Sequence, residues 1–126
     1  MYLFLSSSDS LDSHPDNNAW NFTVDLNECI QLKGDWECAL MDIQYGGDCG
    51  ELYIYCDLSM PSYALGKFLP LLRIVKKPLS YVVNPYFMPV SHNYISHIRV
   101  YITNKQGTKP SFTPKKLRCT LQLRQV

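Results

Sequence analysis

The sequence predicts an all-β fold, a single jelly roll in which eight short antiparallel strands form a β-sandwich over residues 1–126. Three observations carry this expectation. Runs that alternate apolar and polar residues recur along the whole chain, eight Pro and six Gly are spread between those runs, and no stretch keeps helical periodicity for three turns. The length is that of one domain, and a composition of 46% hydrophobic and 18% charged residues belongs to a globular core rather than a disordered tail.

Each strand has its own signal. Residues 1–5 are a short β-prone start. Trp20-Asn21-Phe22-Thr23-Val24-Asp25-Leu26 alternates without a break, so Trp20, Phe22, Val24 and Leu26 share one face and are core candidates. Ile30-Gln31-Leu32 continues the pattern until Lys33-Gly34-Asp35 turns the chain. From residue 36 to 45 the phase changes: Trp36, Cys38 and Leu40 have one parity, and Met41, Ile43 and Tyr45 the other. A β-bulge near Leu40 explains the change, as does a strand buried on both faces. The fair helical propensity of Glu37-Cys38-Ala39-Leu40-Met41 leaves a helix as the alternative there.

Gly46-Gly47-Asp48-Cys49-Gly50 forms a turn, and Leu52, Ile54 and Cys56 then alternate with Tyr53, Tyr55 and Asp57. Residues 61–65 read as a connection, and residues 71–75 as a strand ended by Lys76-Lys77-Pro78. Tyr81-Val82-Val83 and Tyr86-Phe87-Met88 flank Pro85, the pattern of an interrupted edge strand. Ile98, Val100 and Ile102 define the penultimate strand, Asn104-Lys105-Gln106-Gly107 a turn, and Leu117, Cys119, Leu121 and Leu123 the last strand.

The five cysteines are odd in number and include no CxxC pair, so they read as buried free thiols rather than a disulfide framework or a zinc site. The first residues lack a basic region and a long apolar run, and no apolar stretch reaches the length of a membrane span. The chain is therefore expected to be made in the cytosol, with no membrane partner.

Chemical motifs are few. Asp9, Asp12, His14 and Asp16 lie in one segment, but without the glycine and closing carboxylate of a calcium loop they read as a solvated surface loop. Neither GxSxG nor HExxH occurs, and no acidic residue follows Asp57 to complete a carboxylate pair with the second half. Asn21-Phe22-Thr23 fits a glycosylation sequon by chance, inside a predicted strand. The expectation is no catalytic residue, no cofactor and no metal.

Charge is the least ordinary feature. Residues 1–57 hold all eleven acidic residues and one basic residue, net −10, whereas residues 58–126 hold eleven basic residues and no acidic one, net +11. A basic second half with interleaved Tyr raises the alternative of a stand-alone β-sandwich module binding nucleic acid or glycan, through Lys76, Lys77, Lys115, Lys116, Arg118 and Arg124. The net −10 of the first half, on the same small body, repels such an anion. In a Greek-key sandwich, early and late strands interleave, so part of the split becomes cross-strand pairing within one subunit. The remainder leaves an acidic and a basic flank, which suits head-to-tail contacts between identical subunits. The interface candidates are acidic Asp9, Asp12, Asp16 and Glu28 against basic Lys76, Lys77, Lys115 and Lys116.

The block Gly34-Asp35-Trp36-Glu37-Cys38-Ala39-Leu40-Met41-Asp42-Ile43-Gln44-Tyr45, preceded by Phe22-Thr23-Val24-Asp25-Leu26, resembles the start of penton-like minor capsid proteins of Polinton/Maverick elements and related adintovirus- and adomavirus-type DNA viruses. The resemblance extends through Tyr53-Ile54-Tyr55-Cys56-Asp57, Pro70-Leu71-Leu72-Arg73-Ile74-Val75, Tyr86-Phe87-Met88-Pro89-Val90-Ser91, Ile98-Arg99-Val100-Tyr101-Ile102 and residues 117–124, with the 34–45 block its specific part. It implies a single jelly roll, related to adenovirus penton base, that forms homopentamers at icosahedral vertices beside a double-jelly-roll major capsid protein. It also implies a virion protein assembled in the host cell, in the nucleus. The chain has no Arg-Gly-Asp string, so integrin binding through that motif has no support.

Overall fold

The structure, a computed structural model, describes residues 1–47, 50–76 and 84–126. Among these residues there is no helix. Ten strands follow in chain order: β1 (Tyr2–Ser6), β2 (Asn21–Gln31), β3 (Trp36–Tyr45), β4 (Leu52–Cys56), β5 (Ser62–Ala64), β6 (Lys67–Leu69), β7 (Leu71–Val75), β8 (Met88–Pro89), β9 (Tyr94–Asn104) and β10 (Leu117–Gln125). Eight of them form two four-stranded antiparallel sheets, one in the order β1-β10-β3-β8 (the first sheet) and the other β2-β9-β4-β7 (the second). β5 and β6 make a separate hairpin.

The two sheets share one hydrophobic core, as in a β-sandwich. Leu5, Cys38, Leu40, Ile43, Leu117, Cys119, Leu121 and Leu123 enter it from the first sheet. Phe22, Val24, Leu52, Ile54, Cys56, Leu72, Val75, Ile95, Ile98, Val100 and Ile102 enter it from the second. Apart from Leu5, Leu72, Val75 and Ile95, these are positions that the alternation in the sequence marks, and each fully buried Leu, Ile or Phe stabilises the fold by roughly 1.5–3 kcal/mol. Trp20 is buried with them and donates its indole N–H to the Phe112 carbonyl at 2.9 Å, while Leu26 and Trp36 pack at the core margin.

The phase change in β3 is a bulge. Thr120 of β10 faces Asp42 and Leu121 faces Leu40, so Met41 has no opposite residue. The extra residue lets Cys38 and Leu40 on one side of it, and Ile43 on the other, all reach the core. Segment 37–41 is thus strand, not helix.

Two expectations need correction. Residues 61–65 are not a plain connection, since β5 and β6 pair with Tyr63 opposite Phe68 around the two-residue turn Leu65-Gly66. Both turn residues have positive φ (53° and 77°), the geometry of a tight hairpin, yet Leu at the first position gives no turn signal. Cys29 is exposed rather than buried, because the β2–β9 ladder shifts register between Asp25 and Ile30 and alternation lapses there. Cys38, Cys56 and Cys119 are buried free thiols, and Cys49 lies outside the described residues. The expected extended segment 81–83 also lies outside them; of its continuation, only Met88 and Pro89 pair, as the edge strand β8 against Cys38 and Glu37.

Candidate functional site

A chain read as an assembly subunit is judged by its surfaces, beginning with its sheet edges. β2 borders the second sheet, and the loop of residues 7–18 lies along its free side. Asn17 bonds Thr23 twice, its Nδ2 donating to the carbonyl at 2.9 Å and its Oδ1 accepting from the amide at 3.0 Å. The Asp25 amide donates to Ser10 Oγ at 2.9 Å. The Asp25 carboxylate in turn accepts from Ser13 Oγ at 2.7 Å and pairs with His14 Nε2 at 3.0 Å. These bonds, His14 first and Ser13 second, hold the Asp25 carboxyl below the ordinary aspartate range. Side chains of the acidic loop thus occupy backbone groups that an open edge would offer to another chain.

The structure brings part of the predicted acidic set together. Asp9, Asp12 and Asp16 share the 7–18 loop, and Glu28 lies on β2 itself, exposed, in the stretch where the ladder lapses. Asp9 also has a local duty, its Oδ2 accepting from the Ser6 amide at 2.9 Å. Among the basic candidates, Lys76 follows β7 at the opposite edge of the same sheet. Lys115 and Lys116 are exposed just before β10, where Leu117 pairs with Ser7 through bonds of 2.9 and 3.0 Å. They therefore sit beside the start of the acidic loop and not with Lys76. Lys77 lies outside the described residues.

Both sheets alternate a strand from the acidic half with one from the basic half. The charge split accordingly resolves into cross-strand contacts. Glu37 on β3 and Arg124 on β10 pair at 2.5 Å, the Asp57 carboxylate accepts from the Arg99 amide at 3.0 Å, and Asp57 lies 3.9 Å from His97. Among the described residues, no group of three or more His, Cys, Asp or Glu is placed to hold a metal ion.

Sequence reasoning missed the exposed aromatics. On the outward face of β1, Tyr2 and Phe4 are 55% and 77% exposed with ring centres 6.4 Å apart. Beside Phe4 runs a groove of about 400 Å³ whose lining includes Asp9, Asp42, Gln44, Arg118 and Thr120. The Asp42 carboxylate makes no hydrogen bond or ion pair among the described residues, while the Asp42 backbone is part of the ladder with β10. On the hairpin, Tyr63 and Phe68 are 69% and 74% exposed and meet edge to face at 5.4 Å. The hairpin tip rests on the turn after β9, with Leu65 Cδ1 3.4 Å from the place a Cβ on Gly107 would take. A short alternating signal at residues 2–5 and Gly66 were the available clues, but neither says that the rings stay uncovered.

No protein-family model matches the chain, and no curated protein matches it significantly.

Proposed function

We propose that this chain is a structural capsid subunit, a penton-like minor capsid protein whose single jelly roll forms homopentamers at icosahedral vertices beside a double-jelly-roll major capsid protein. The observation that supports the jelly-roll part of this reading is the strand order. Along the chain, β1 to β4 alternate between the two sheets, and β7 to β10 do so again. Two four-stranded runs wrapped in this way are the two Greek keys of a jelly roll, with the β5–β6 hairpin as an insertion between its fourth and fifth strands.

The capsid role and the number five rest on the resemblance of residues 34–45. Physical features agree with that role: a sheet edge closed by its own loop, and acidic and basic groups at opposite edges of the second sheet. Unlike flanks are what a closed ring of identical subunits needs, because each heterologous contact joins two different surfaces. Opposite charge there speeds encounter and fixes register.

The test is the mass of the purified chain at low and high salt, by native mass spectrometry or sedimentation. A pentamer that weakens as salt rises is the expected result. A chain that stays monomeric at high micromolar concentration overturns the reading, and retention of single-stranded DNA by that monomer replaces it with a binding module.

A further inference from the structure

A sheet edge is a row of unpaired backbone groups, and the four outer edges of this sandwich are not treated alike. At β2 the 7–18 loop occupies the edge through Asn17 and Ser10. The end of β8 is held by the 58–60 segment, where the Met60 amide donates to the Pro89 carbonyl at 2.9 Å and the Ser91 amide to the Leu58 carbonyl at 2.7 Å. β7 carries Arg73, whose guanidinium donates to the Asn84 carbonyl at 2.8 Å and lies 4.0 Å from the centre of the Tyr86 ring. β1 has β10 on one side and, among the described residues, no strand on the other. The Met1 carbonyl accepts from the Leu123 amide at 2.8 Å and the Ser7 amide donates to the Leu117 carbonyl at 2.9 Å. In that ladder residues 1, 3, 5 and 7 face β10, so the N–H and C=O groups of Tyr2, Phe4 and Ser6 point out along the edge. Asp9 closes Ser6: its Oδ2 accepts from the Ser6 amide at 2.9 Å, and its own amide donates to the Ser6 carbonyl at 3.0 Å. Tyr2 and Phe4 keep two donors and two acceptors open, beside their exposed rings.

We infer that this edge pairs with the same edge of a second copy, β1 against β1 in antiparallel register about a two-fold axis at Leu3, so that two first sheets join into one. The open groups select both the occupant and the register. With Tyr2 opposite Phe4 of the second copy, and Phe4 opposite its Tyr2, all the open donors and acceptors of the two copies meet in four hydrogen bonds. Sliding to set Phe4 opposite Phe4 places Tyr2 against Ser6, whose groups Asp9 already holds. A slip of one residue sets Phe4 against Leu3, whose groups face β10. The side chains fit the same register, because each Tyr2 ring stands beside a Phe4 ring of the other copy as a cross-strand aromatic pair. The row across the joined sheet reads Asp42, Thr120 and Phe4, then Tyr2 and Gln122 of the second copy, and it brings no like charges together. The four rings, about two-thirds exposed, contribute on the order of 500 Å². That is about a third of a standard interface, so the dimer is of micromolar strength. The contact is isologous, unlike the head-to-tail contact of a ring, so it goes beyond the assembly reading and joins two copies whether or not a ring forms.

The experiment uses the full chain with Cys29→Ser and Cys49→Ser, mildly oxidised at high micromolar concentration and read by non-reducing gel and by sedimentation. Leu3→Cys is expected to give a covalent dimer, because the two-fold axis brings its Cα to about 4.5 Å from its counterpart, inside disulfide range. Phe4→Cys is expected to stay uncrosslinked, since the same register leaves its two copies more than about 7 Å apart. Without oxidation, Phe4→Pro weakens the dimer about a hundredfold, through two lost donors and two lost aromatic pairs. Its nitrogen faces the open edge and not β10, so the fold is kept, which a cooperative urea transition verifies. Crosslinking of Phe4→Cys in preference to Leu3→Cys overturns the inference. So does a failure of Leu3→Cys to crosslink, which leaves the edge to a strand of another protein, or a dimer indifferent to Phe4→Pro. A pentamer without the Leu3→Cys crosslink overturns this inference alone. A Leu3→Cys dimer from a chain that forms no pentamer upholds it and overturns the assembly reading alone.

Discussion

Glu37 and Arg124 stand opposite one another on β3 and β10, joined at 2.5 Å, and the same guanidinium lies 3.4 Å from the centre of the Phe87 ring. One cation thereby ties an acidic strand from the first half of the chain, its own basic strand, and the segment leading to edge strand β8. The pair is partly exposed, so solvent screens it. Arg124→Ala is expected to cost about 1 kcal/mol, the ion pair and the cation–π contact contributing comparable shares. Arg124→Lys is expected to recover only part of this, because an ammonium lacks the planar group that covers Phe87. Urea unfolding of both variants, with Phe87→Leu as the third corner of a cycle, measures the two shares.

The β3 bulge predicts the outcome of two changes at one position. Met41 is only partly buried and has no residue opposite, so Met41→Ala is expected to cost about 1 kcal/mol or less. Deleting Met41 removes the extra residue and makes the Leu40–Leu121 and Asp42–Thr120 pairs consecutive, so Cys38, Leu40 and Ile43 fall on one face of a regular strand. The deletion is expected to keep a cooperative unfolding transition, at a cost of about 1–3 kcal/mol for straightening the strand. By comparison, Ile43→Ala, which only empties a core position, is expected to cost about 2–5 kcal/mol while leaving a folded protein.

Thiol chemistry should divide the cysteines by sheet geometry. Burial pushes the Cys38 and Cys119 thiols up to about 12, aided by nearby Glu37 and by Asp42 and Asp9 respectively, and burial raises Cys56 as well. At pH 8 these three should be alkylated only as fast as the protein unfolds. Cys29, exposed where the β2–β9 ladder lapses, should react without unfolding. Peptide mapping after brief and long alkylation distinguishes the two classes, and rapid modification of Cys38, Cys56 or Cys119 in the folded protein would refute the assignment.

The loop that closes β2 carries a pH dependence of known sign. Asp25 is held below its ordinary value of 3.8 by hydrogen bonds from His14 and Ser13. The stabilisation is therefore present above about pH 3.8 and is lost as pH falls through the lower, folded value. His14→Ala is expected to bring the Asp25 titration back toward 3.8, and adding Ser13→Ala to bring it closer still. Carboxyl-carbon NMR shifts report the titration directly, and an unchanged midpoint in His14→Ala would show that another group sets it.

Much of the fold was legible from residue order. Alternation alone placed Trp20, Phe22 and Val24, Ile98 to Ile102 and Leu117 to Leu123 in the core, because a strand with one wet face must repeat every second residue. The phase slip between Leu40 and Ile43 left a bulge or a strand buried on both faces open, and the register with β10 settles it as a bulge. What the sequence could not hold is which surfaces remain open once the sheets close. The hairpin at Tyr63 and Phe68, the groove beside Phe4 and Asp42, and the separation of Lys76 from Lys115 and Lys116 depend on contacts between distant segments. Local pattern fixes the face a side chain takes on its own strand. Only the tertiary arrangement decides whether anything lies over that face, and it is there that the Tyr2–Phe4 and Tyr63–Phe68 pairs were left uncovered.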